Sequence, residues 1–135
     1  MSALKLLHLL PPTLRFVLVG GSAAATHLVI VWALVQDAQW PPLGANVVAF
    51  LLAFWVSYAG HFLLTFASAG AAHRQALPRF FIIACSAFVV NELLYLAALR
   101  WLSWHYLISL LAVLLIVAAG TFVSSKLWAF ARTDA

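Results

Sequence analysis

The residues able to do chemistry are few, and most lie inside long apolar runs. Glu92 is the one acid within such a run; Asn91 precedes it, and His27, Ser57 and His61 occupy other runs. A polar side chain at membrane depth is costly, so it either hydrogen-bonds a neighbour or serves a substrate. Glu92 has two readings. It is a carboxyl that hydrogen-bonds His27 and ties helices together, or a carboxylate that couples to protons or binds substrate. Arg15 and Arg79 open apolar runs. They are topology anchors and lipid-headgroup partners, or a phosphate clamp, because guanidinium grips two phosphate oxygens at once. Lys126 has the same two readings, and snorkelling suits a lysine anchor. The histidines His8, His27, His61, His73 and His105 show no i, i+3 or i+4 pairing, so no metal site is expected. No Gly-rich phosphate loop, serine elbow or paired-carboxylate motif is present, so neither a cofactor nor an enzymatic activity is expected.

The elements that must position these residues follow from composition. Of 135 residues, 67% are hydrophobic and 7% charged, with mean hydropathy +1.10. A soluble domain carries roughly 25% charged residues, so a soluble enzyme, a disordered tail and a nucleic-acid-binding domain are excluded. Four apolar runs, Phe16–Val35, Leu43–Phe66, Phe80–Leu99 and Tyr106–Val123, each approach the roughly 20 residues that cross a ~30 Å hydrocarbon core. In lipid the backbone must satisfy its own hydrogen bonds, so these runs are predicted to be helices. Pro11-Pro12, Pro41-Pro42 and Pro78 are expected to open the first three, since proline's missing N–H would be unpaired in a first turn anyway. Residues 1–10 are apolar but too short to span, lack a cleavage site and read as an interfacial segment. The chain is therefore one integral membrane domain, with a flexible linker expected at 67–77.

Lys5, Arg15, Arg74, Arg79, Lys126 and Arg132 fall on one side of this arrangement and Arg100 alone on the other, beside Asp37. That asymmetry predicts both termini in the cytoplasm. Trp40, Trp101, Trp104 and Tyr106 mark the opposite interface. A shift of 64 residues superposes Arg15-Phe16 on Arg79-Phe80, Ser22-Ala23 on Ser86-Ala87, His27 on Asn91, Trp40 on Trp104 and Phe66 on Phe130. The expected architecture is thus an all-α membrane protein of four transmembrane helices, built as two tandem parallel two-helix repeats over 14–66 and 78–130. Glu92 falls on Leu28, so the halves are not equivalent. On the second helix Ala45, Ala49, Ala53, Ser57 and His61 form an i, i+4 stripe, a packing face at its alanine end, with Ser57 and His61 placed to hydrogen-bond across the contact.

These residues resemble the GtrA-like family of small four-helix membrane proteins over Leu14 to Phe130. The resemblance is carried by the segment Leu14–Gly21, by Ala45-Asn46, by Arg79-Phe80 with Asn91 downstream, and by the helix ends Ser57–Phe66 and Ser125–Phe130. The chain departs from the family pattern at His27, at His61-Phe62 and at Leu64. The resemblance implies translocation of a polyprenyl-phosphate-linked monosaccharide across the cytoplasmic membrane for cell-surface polysaccharide glycosylation. It implies that Arg15, Arg79 and Lys126 receive the phosphate and that His27, Asn46, Ser57, His61, Asn91 and Glu92 line the path. Membrane lipids, a homodimer partner and a glycosyltransferase are the partners this reading allows. Two other readings stand beside it: a small proton-coupled exporter, against which the position of the acid on the third helix argues, and a non-transporting membrane partner of a glycosyltransferase.

Overall fold

The structure is a computed structural model that describes residues 2–66, 70 and 72–132. Every regular element among them is helical: α1 (Ala3–His8), α2 (Pro12–Gln36), α3 (Pro42–Gly60), a π turn π1 (His61–Thr65), α4 (His73–Trp101), α5 (Tyr106–Ser124) and a second π turn π2 (Ser125–Ala129). Four helices, Pro12–Gln36, Pro42–Thr65, Arg74–Trp101 and Tyr106–Ala129, are long and apolar enough to cross a membrane. Their chain order makes neighbours antiparallel. Packing of α2 on α3 and α5, and of α4 on α5 and α3, closes a four-helix ring. Leucines and valines along all four helices remain exposed on its outside. In water such a surface would aggregate, whereas in lipid it is the solvated face. The chain is a multi-pass membrane protein.

The prolines at 11–12 and 41–42 precede or open helices as expected. Pro78 does not: α4 begins five residues earlier, at His73, and runs through it. The extension buries Ala76 completely against Phe80 and Phe130, and that packing offsets the one backbone bond that proline forfeits. Of the linker expected at 67–77, residues 67–69 and 71 lie outside the described residues, and 73–77 are helix.

The core has two parts. Near the π turns, Phe54, Tyr58, Phe80 and Phe130 form an aromatic cluster, with Phe66 stacked on Phe130 at 4.7 Å between centroids. Near the opposite end, Val31, Ala45, Ala49, Tyr95 and Leu110 interlock. Ala45, Ala49 and Ala53 are buried, so the alanine end of the stripe on α3 is a packing face. The tightest of the glycine positions is Gly60, where a Cβ would stand 2.5 Å and 2.9 Å from the two γ-methyls of Val19. Valine is stiff at χ1 and cannot swing away cheaply. Gly60→Ala is therefore expected to destabilise the protein by roughly 1–3 kcal/mol through overpacking, read as a lowered melting temperature in detergent.

Candidate functional site

At the end of the bundle that carries the basic residues, each π turn is met by an arginine. The last carbonyls of a helix lack intrahelical partners. Arg15, at the start of α2, donates from Nη1 to the carbonyl of Leu64, and Arg79, near the start of α4, donates from Nη1 to the carbonyl of Trp128 at 3.3 Å. The two environments differ. Arg15 is only 8% exposed and its Nε is buried without a partner. Arg79 is half-buried, with its guanidinium 5.8 Å from the centre of the Trp128 ring. Lys126 is exposed on π2.

Nearer the other end, four of the expected polar residues converge on one network. Asn46 on α3 is fully buried. Its Nδ2 donates to Asn91 Oδ1 at 2.9 Å and to Glu92 Oε1 at 3.0 Å, both on α4. Having spent both amide hydrogens, Asn46 can only accept at Oδ1, so His27 on α2 donates to it from Nε2 at 2.5 Å. A direct His27–Glu92 bond is thus replaced by a bridge through Asn46. The site lies nine residues before the ends of α2 and α4 at Gln36 and Trp101, about 13 Å into the bundle. It joins three helices.

Ser57 and His61 are not in this network. His61 pairs within its own turn, Nδ1 to Thr65 Oγ1 at 2.9 Å, and stacks on Phe16 at 5.0 Å. This corrects the expectation that His61 bonds across a helix contact. Both residues instead line a cavity of about 170 Å³ at the centre of the ring. His61, Ser57 and Thr121 border it toward the π turns, and His27 and Asn91 border it toward the network. Between them the wall is made of Phe16, Phe50, Phe54, Phe80 and Phe88 with small residues such as Gly20, Ala53 and Ala84. The sequence alone assigns no role to Thr65, Phe50 or Phe54, although the i, i+4 spacing of Phe50 with Phe54 is visible in it. Among the described residues no three His, Cys, Asp or Glu side chains gather closely enough to hold a metal ion.

The four-span bundle thus surrounds a small aromatic-walled cavity with polar groups at both of its ends. The sequence pattern of the GtrA/DPMS transmembrane-domain family matches residues 15–130, and the chain belongs to that family. No curated protein and no solved structure matches it. Membership associates the chain with the handling of lipid-linked sugars.

Proposed function

We propose that the protein translocates a polyprenyl-phosphate-linked monosaccharide across the cytoplasmic membrane, for glycosylation of cell-surface polysaccharide, and that it does so without catalysing a covalent step. The observation that carries this reading is the cavity, polar at both ends inside an otherwise apolar bundle. Its volume of about 170 Å³ falls short of the roughly 300–1,000 Å³ of ordinary ligand pockets. The cavity therefore suits a sugar ring, while the lipid tail stays outside. Arg79 and Lys126, the more accessible cations, take the phosphate, with Arg15 behind them. His27, Asn46, Ser57, His61, Asn91 and Glu92 offer successive hydrogen bonds along the path.

The architecture in this proposal is two tandem repeats. It is supported by features that recur 64 residues apart: the π turns at His61 and Ser125, the arginine–carbonyl pairs Arg15–Leu64 and Arg79–Trp128, and the serine bonds Ser22–Leu18 and Ser86–Ile82. The basic end faces the cytoplasm. In a Cys85→Ala background, cysteines at Ala38 and Ser103 are expected to react with an impermeant thiol reagent from outside, and one at Ala72 is not. The reverse pattern overturns the orientation.

The test of function is transfer of a fluorescent polyprenyl-phosphate sugar between leaflets of vesicles holding the purified protein. Arg79→Lys keeps the charge and loses the fork, so it is expected to weaken lipid-phosphate binding about tenfold without changing thermal stability. Arg15→Lys, at a buried site that uses the guanidinium to cap π1, is expected to lower the melting temperature. Equal lipid binding by wild type and Arg79→Lys would reduce Arg79 to an anchor. The family description also joins GtrA to DPMS, a name that points to a synthase. That favours a second reading, a membrane partner of a glycosyltransferase, which predicts no transfer by the protein alone and activity only with the enzyme present.

A further inference from the structure

The two hairpins of the ring are not packed alike. α2 lies against α3 far more extensively than α4 against α5. In the first pair, Gly60 lets Val19 reach the backbone of α3. The positions 64 residues later hold Ser124 and Ile83, so both partners are larger. There the helices part, and a groove of about 650 Å³ opens between them with Ile83 and Ser124 in its walls. Ile82, Ile116 and Leu127 make it apolar, and Gly120 leaves room along its length. Two features distinguish this groove from the ordinary corrugation of a helix surface. Toward the basic end it reaches Trp128, the ring beneath the Arg79 guanidinium. Along its inner side it shares Ala87, Val117 and Thr121 with the central cavity, so a single layer of side chains separates the two.

We propose that this groove between α4 and α5 seats the isoprenoid tail of a polyprenyl phosphate, with the phosphate on Arg79 and the seam at Ala87, Val117 and Thr121 as the lateral entrance to the cavity. The proposal rests on the translocation reading for the identity of the head group, and adds where the lipid sits and which seam admits it. The occupant follows from chemistry. The groove takes one chain, and the cation stands directly at its end. A polyprenyl phosphate has a single chain with phosphate attached directly to it, whereas a glycerophospholipid sets glycerol between its phosphate and two chains. Lipid tails are as apolar as the groove, so seating the tail yields no hydrophobic gain. Shape and the guanidinium–phosphate contact select the ligand. At the matching point of the α2–α3 seam, Val19 packs on Gly60 and closes the space.

The test is photocrosslinking of the full-length protein in phosphatidylethanolamine–phosphatidylglycerol vesicles, using a polyprenyl phosphate with benzophenone in its tail. A phosphatidylglycerol with benzophenone in one acyl chain is the comparison probe. Adducts of the first are expected on groove residues such as Ile116 and Leu127, and those of the second around the whole bundle. A Cβ at Gly120 or at Gly21 meets nothing within 4 Å, so a side chain can leave the backbone at either position without a clash; Gly120 lies in the groove and Gly21 on an exposed face of α2. Gly120→Leu is expected to cut groove labelling about tenfold, the loss that an overpacking cost produces in an equilibrium constant, and Gly21→Leu to leave it unchanged. Equal labelling of the groove by both probes, or polyprenyl adducts spread over α2 and α3, overturns the proposal; this map uses the unaltered protein and needs no variant to fold. The transfer assay separates the two ideas. Groove labelling without lipid transfer sinks translocation and leaves the groove, whereas transfer by Gly120→Leu at the wild-type rate sinks the groove and leaves translocation.

Discussion

Replacing Asn46 by leucine is expected to cost more than any other single change in the interior. The side chain is fully buried and makes three hydrogen bonds to two other helices. Leucine has similar bulk and abolishes all three, leaving His27, Asn91 and Glu92 facing apolar atoms. Interhelical bonds in a bilayer average about 0.6 kcal/mol and reach about 1.7, so three of them amount to roughly 2–5 kcal/mol. Groups left unpaired push the result to the upper part of that range. Asn46→Asp is the informative partner: its carboxylate accepts from His27 and has no hydrogen for Asn91 or Glu92. It places a second acid beside Glu92, so part of the stability should return on acidification, when one carboxyl of the pair is protonated and can donate. Melting temperatures in detergent at neutral and acidic pH check both. A leucine variant as stable as wild type would mean that the network does not hold the helices together.

The sequence made the spans legible because length, hydropathy and proline punctuation are local properties, and they placed Pro12–Gln36 and Pro42–Thr65 within a few residues of their observed ends. It misplaced the start of α4 because the gain that carries that helix back through Pro78, burial of Ala76 against Phe130, is a contact between residues far apart in the chain. Asn46 was visible only as part of a family resemblance. Its role as the centre of the polar network depends on the rotation of three helices about their axes, which periodicity constrains to a face and not to an atom. His61 shows the converse. Its place at the end of the alanine stripe suggested a partner on another helix, but the ring bonds instead to Thr65, four residues on within the wider π1 turn. Arg15 and Arg79 look equivalent in sequence, and only their burial and the Trp128 ring beside Arg79 separate them.

Glu92 carries the prediction that bears most directly on mechanism. Its Oε1 accepts from Asn46 Nδ2, and the side chain is half-buried rather than sealed. Glutamine keeps a carbonyl oxygen where that acceptor stands, so Glu92→Gln is expected to fold and to change stability by no more than about 0.5 kcal/mol. What glutamine cannot do is exchange a proton. If Glu92 gains and loses one as the site turns from one side of the membrane to the other, transfer by wild type responds to an imposed pH gradient and transfer by the glutamine variant does not. A carboxyl that only braces Asn46 gives another pattern: glutamine behaves as wild type at every pH, and Glu92→Leu, which removes the acceptor, loses thermal stability. The two roles therefore separate on a single set of measurements, leaflet transfer of the lipid-linked sugar with and without a gradient for all three proteins, beside their melting temperatures. Gradient-responsive transfer by Glu92→Gln at the wild-type level would end the coupling role and leave Glu92 as one more hydrogen-bond acceptor around Asn46.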